Sequence, residues 1–192
     1  MKKVLSLLIA ISFIGIKDLN AQVITIAEPE FAEETILLIS ETEGVKLERE
    51  NATVKAKAGA SLYLTGIGKV KSRLTIKGTS SVNKTIASTN TCLIIKAADN
   101  KTDPNSFISI FKFEVKGNER RYLLREAGTL SKAESNNLAS ISYKAKKYGE
   151  SSYLIVMDGL EPGEYGIVIG DPNHTNTKNG MKVTTFTVKK EL

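Results

Sequence analysis

An antiparallel all-β sandwich is the fold this sequence predicts, and three features predict it. Short β-branched or aromatic runs recur from end to end, bounded by Gly, Asn, Asp or Pro. Several alternate apolar and charged residues with period two, which gives a strand one buried and one wet face. Helical periodicity is nearly absent. The best helix start, Ser131 with Glu134 at capping-box spacing, runs into Ser135, Asn136 and Asn137 instead of an apolar stripe, so a loop is expected there.

The chain opens with Lys2 and Lys3, an apolar run over 4–16, and a polar stretch ending at Ala21. This reads as a secretory signal peptide over 1–21, because the apolar run is shorter than the roughly 20 residues a spanning helix needs. Leu19 is larger than the residue usually found two before a cleavage site. No Cys stands near it to carry a lipid. The expected location is therefore periplasmic or extracellular, at the cell surface, with no transmembrane segment in the mature chain and nucleic acid disfavoured as a partner. Residues 22–192 are long enough for one sandwich domain with its own core.

Strands are expected over 23–26, 35–40, 45–50, 53–57, 62–65, 70–77, 92–97, 107–116, 120–125, 139–146, 152–158, 164–169 and 182–188. In the run from Lys69 to Lys77, Val70, Leu74 and Ile76 share one face, and Lys69, Lys71, Arg73 and Lys77 share the other. Phe111, Phe113 and Val115 likewise oppose Lys112, Glu114 and Lys116, and Ile141 and Tyr143 oppose Lys144 and Lys146. Loops are expected over 78–90, 99–105 and 171–180. Residues 22–58 suggest an acidic N-terminal arm or hairpin, because Glu28, Glu30, Glu33 and Glu34 flank the apolar run Ile36 to Ile39.

Charge is unevenly spread. The formal net charge of +6 falls to +4 once Lys2, Lys3, Lys17 and Asp18 are removed. Residues 22–50 hold eight acids against Lys46 and Arg49, while 51–192 hold 22 bases against 12 acids. An acidic segment and a basic body attract each other, and a basic body favours anionic polymers and surfaces.

Leu160, Glu161, Pro162, Gly163, Glu164 and Tyr165 lie between two expected strands. This stretch resembles the tyrosine corner of immunoglobulin-like and fibronectin-type sandwiches. The resemblance covers about the last 40 residues and implies that Tyr165 bonds the backbone a few residues upstream, where the chain passes between sheets. Pro162 then fixes the turn, Gly163 relieves its steric constraint, and Ile167 and Ile169 follow Tyr165 into the core. Together with Asp103, Pro104, the run Phe107 to Phe113, and Arg120 and Arg121, the stretch also resembles small exported bacterial proteins of uncharacterised function. That likeness implies fold and location and carries no functional residue.

Chemistry is sparse. With Cys92 the only cysteine, an intramolecular disulfide is impossible, and Cys92 beside Leu93 and Ile94 is expected as a small buried apolar residue. One His, His174, and one Cys do not make a zinc site, nor does His174 stand near a nucleophilic elbow. Ser81 and Lys84 have Ser-x-x-Lys spacing without companion motifs. Asp99, Asp103 and Asn105 offer oxygens, but turn chemistry accounts for them and their spacing is not that of an EF-hand. No catalytic residue, metal site or cofactor is expected. The chain has no Trp for a sugar platform, which leaves Tyr63, Tyr122, Tyr143 and Tyr148.

The remaining candidates are three basic groups: Lys69, Lys71 and Arg73; Arg120, Arg121 and Arg125; and Lys144, Lys146 and Lys147. As isolated faces they also keep strand edges from pairing with other chains. Three functions stay open. The first is a non-enzymatic module that interacts with another cell-envelope component, protein included. The second binds an anionic glycan or envelope surface through a basic face. The third is an enzyme with carboxylates assembled in space.

Overall fold

A computed structural model describes residues 24–65, 67–128, 140–170 and 181–190. The signal-peptide reading, the 131–137 loop and His174 lie outside these residues. In chain order the first strands are β1 (Thr35–Leu38), β2 (Gly44–Lys46) and β3 (Arg49–Ala58), followed by a short helix α1 (Ala60–Thr65) and by β4 (Lys69–Lys77), β5 (Lys84–Ile86) and β6 (Asn90–Lys96). A 3-10 turn at Pro104–Ser106 precedes β7 (Ile108–Lys112), β8 (Glu114–Lys116), β9 (Glu119–Gly128), β10 (Lys144–Tyr148), β11 (Ser152–Asp158), β12 (Gly163–Ile169) and β13 (Met181–Lys189).

Two sheets pack against each other in an all-β sandwich. The smaller runs β10-β11-β6-β1-β2 and the larger β7-β12-β13-β3-β4-β9-β8, all antiparallel, with β5 added parallel to β13. The larger sheet begins and ends on one stretch of chain. β7 pairs with β12, β8 pairs with β9, and only Phe113 separates β7 from β8, so the sheet curls round and closes on itself.

That closure makes two cores. Between the sheets, Leu93, Ile95, Tyr153 and Ile155 of the smaller meet Ile108, Ile110, Tyr165, Ile167 and Phe186 of the larger. Inside the curl, on the opposite face of the larger sheet, lie Ala52, Leu74, Ile76, Phe111, Phe113, Tyr122, Leu124, Val168 and Val183. Strands β7 and β12 are therefore buried on both faces, and Ile108 and Ile110 fill one core as Phe111 and Phe113 fill the other. Gly166 is what lets the rings in. A Cβ there would stand 2.7 Å from Phe111 and 2.8 Å from Phe113.

The tyrosine corner is present. Tyr165, 2 % exposed, donates its hydroxyl to the Glu161 carbonyl at 2.6 Å, where the chain leaves β11 in the smaller sheet for β12 in the larger. Leu160 is buried beside it. The Lys112 side chain lies across Gly163, 2.5 Å from where a Cβ would stand.

Other expectations need correction. Residues 62–65 form the end of α1, and β5 lies in the stretch expected as a loop. Of the two forms expected for the acidic segment, it takes the hairpin and not the arm: β1 and β2 pair antiparallel, with β2 the edge of the smaller sheet, and β3 lies inside the larger. Its acids pair partly within the segment, Glu33 with Arg49 at 2.5 Å and Glu34 with Lys46, and partly with the basic body as the charge pattern suggests, Glu28 with Lys96 at 3.6 Å. Cys92 is only half-buried, facing a groove with Ile24, Leu38 and Asn90, and burial pushes its thiol pKa up. Val70, expected in the core, is exposed.

Candidate functional site: a basic sheet face

Strand register decides which of the basic residues meet. Lys57, Lys71 and Glu126 lie in one row across β3, β4 and β9, and Lys55, Arg73 and Leu123 lie in the next. Thr53, Thr75 and Arg121 form the third, with Lys69 beyond the first. Because residues in register point to the same side, this face gathers Lys55, Lys57, Lys69, Lys71, Arg73 and Arg121. Two acids stand among them. Glu119 bridges Lys55 (2.7 Å) and Arg121 (2.9 Å), and Glu126 bridges Lys69 (2.5 Å) and Lys71 (2.9 Å).

The two lysines hold the Glu126 carboxyl down to about 2, and Lys55 and Arg121 lower that of Glu119. Lys57 and Arg73 have no ion pair among the described residues. Arg73, Lys71, Lys112 and Arg121 also line an open cleft of about 310 Å³ with Glu114, Tyr122 and Leu123. Lys112 crosses from β7 to Glu161 at 2.9 Å and stands 5.9 Å from the centre of the Tyr165 ring, so the cleft's edge is tied to the tyrosine corner.

The other sequence candidates go elsewhere. Arg120 is 1 % exposed and belongs to no surface. Its Nη2 donates to Glu50 Oε2 at 2.7 Å, its Nη1 to Ser81 Oγ at 2.8 Å, and its Nε to the Gly78 carbonyl at 3.3 Å, with Phe113 5.9 Å away. Glu164 accepts from Ser81 and Thr187, and Glu50 from Thr185. All four carboxylate oxygens are thus occupied, an arrangement that plugs the curl and anchors the β4–β5 loop. Ser81, buried here, has its hydroxyl committed to Glu164.

A register shift between Ser72 and Arg73 sets Arg125 opposite Ser72 and so on the other side from Arg73. Lys144, Lys146 and Lys147 lie on β10, the edge of the smaller sheet, where Lys144 pairs with Asp158 at 3.1 Å. The Asp103 carboxylate accepts from the Asn105 backbone and side chain, both at 3.0 Å, and Asp99 from the Lys101 amide, which is turn chemistry. Among the described residues no group of three or more His, Cys, Asp or Glu side chains is placed to hold a metal ion.

Comparison with known protein families, curated proteins and solved structures returns no match. Function has to be read from the site.

Proposed function

We propose that the protein is an exported, non-enzymatic β-sandwich module that works by binding another component of the cell envelope, and that the face of β3, β4 and β9 is its contact surface for an anionic partner. One observation carries the reading. Six bases stand on three adjacent strands with two acids between them, and among the described residues Lys57 and Arg73 have no counter-ion. A rigid sheet holds these charges at fixed spacing, so an anionic polymer or surface meets them with little ordering cost. Glu50 and Glu164 both face Arg120, but the saturation of their carboxylates by Arg120, Ser81, Thr185 and Thr187 supports a structural role.

The test is retention on an immobilised polyanion as a function of salt. Exposed contacts are screened over about 8 Å at physiological ionic strength, so retention is expected to fall steeply with added salt. Lys57→Glu with Arg73→Glu is expected to weaken it by at least about tenfold, since each basic residue near an anionic surface contributes about 1 kcal/mol. Lys146→Glu with Lys147→Glu is expected to leave it unchanged. Equal loss in both double variants, or retention indifferent to salt, would remove the assignment.

A further inference from the structure

The β3–β4 hairpin is closed by α1, and its tip is greasy. Tyr63 is 80 % exposed and Leu64 84 %, with Ile67 beside them and Val54 and Val70 exposed along the shaft. Leu62 turns back against Gly68, so α1 keeps one apolar side chain for its own packing and sends its neighbours outward. Residues 55–73 contain five bases and no acid, which places Lys55, Lys57, Lys69, Lys71 and Arg73 as a collar behind the tip.

We propose that this hairpin is a membrane-docking tongue that seats Tyr63, Leu64 and Ile67 in the interfacial layer of an anionic lipid bilayer while its collar meets the headgroup phosphates. Three features favour lipid over a protein groove. The apolar residues stand exposed together at the turn of a hairpin, which suits a deformable partner. The charge behind them is net positive, five bases against the Glu119 and Glu126 carboxylates that bridge three of them, and so complementary to an anionic leaflet. Most of it is carried by lysine, whose long stem lies along apolar surface while the ammonium reaches outward. The inference rests on the reading of the β3–β4–β9 face as anion-binding, and it names the source of the anion.

The chain has no Trp, so Leu64→Trp supplies a single fluorophore at the tip, and Val115→Trp on the β8–β9 hairpin supplies the control. The protein starting at Gln22 is used, so that the apolar run over 4–16 does not itself insert. With vesicles of three parts phosphatidylglycerol to seven phosphatidylcholine, the Leu64→Trp emission is expected to shift to the blue and that of Val115→Trp to stay. Phosphatidylcholine alone is expected to give little binding. Tyr63→Ser with Leu64→Ser is expected to lower vesicle partitioning about a hundredfold, roughly tenfold per apolar side chain, while polyanion retention stays as it was.

An unmoved Leu64→Trp emission in anionic vesicles, with polyanion retention intact, overturns the tongue and leaves the binding face standing. Loss of both vesicle and polyanion binding overturns both. A blue shift with lipid-free envelope protein and none with vesicles overturns the lipid in favour of a protein partner.

Discussion

Two buried tyrosines on neighbouring walls of the larger sheet differ in what their hydroxyls do. Tyr165 donates to the Glu161 carbonyl, while the hydroxyl of Tyr122, stacked 4.0 Å from Phe111 inside the curl, is buried with no hydrogen-bond partner among the described residues. Tyr165→Phe is therefore expected to lower unfolding stability by about 1 kcal/mol, and Tyr122→Phe to raise it by about as much, because a buried polar group without a partner carries its full desolvation cost. Urea unfolding of the two variants checks the opposite signs, and a loss in both would contradict the account of Tyr122. Arg120→Met is expected to cost more, about 3–5 kcal/mol, because it strips the cation from two carboxylates inside the fold. Tyr165 was legible in the sequence because a proline-glycine turn followed by tyrosine has a mechanism attached. Arg120, grouped by sequence with the surface bases Arg121 and Arg125, is buried instead, and a signal for that was there: with period two it shares a face with Tyr122 and Leu124, the apolar side of its strand.

At the scale of elements, alternation found most strands and failed where something other than one buried face decides. β7 and β12 are covered on both sides, so the charged positions of 107–116 marked only the end of the strand beyond the sandwich. Residues 62–65 carry strand-like side chains, yet they close the β3–β4 hairpin, and a helical turn satisfies their backbone locally. The basic rows were half legible, since period two gave Lys69, Lys71 and Arg73, whereas Lys55 and Lys57 join them only through register. The same register places Glu126 between Lys69 and Lys71 as a competitor for any anionic partner. Its carboxyl is held at about 2, below the ordinary 4.5, so it stays charged through the neutral range, and its contribution to stability is lost only as pH falls towards 2. Glu126→Gln at neutral pH is expected to raise the salt needed to elute the protein from a polyanion and to change stability little, as exposed pairs do. Elution at unchanged or lower salt would show that the bridged lysines take no part in binding.

Over the whole molecule, the closed larger sheet means that β7, β12 and β13 wall both cores at once. Each contributes to one core from one face and to the other from its reverse, as Ile167 and Val168 or Val183 and Phe186 show. Neither core can open without stripping those strands from the other. Unfolding is thus expected to be a single cooperative step even though the apolar side chains form two clusters. Leu93→Ala in the core between the sheets and Leu74→Ala in the core inside the curl are each expected to lose about 2–5 kcal/mol. Both variants should keep one transition, with the amides of β6 and β4 exchanging at a common rate set by global unfolding. A two-step curve in Leu74→Ala, with β4 exchanging long before β6, would mean that the curl melts alone, and that the shared strands do not couple the two halves.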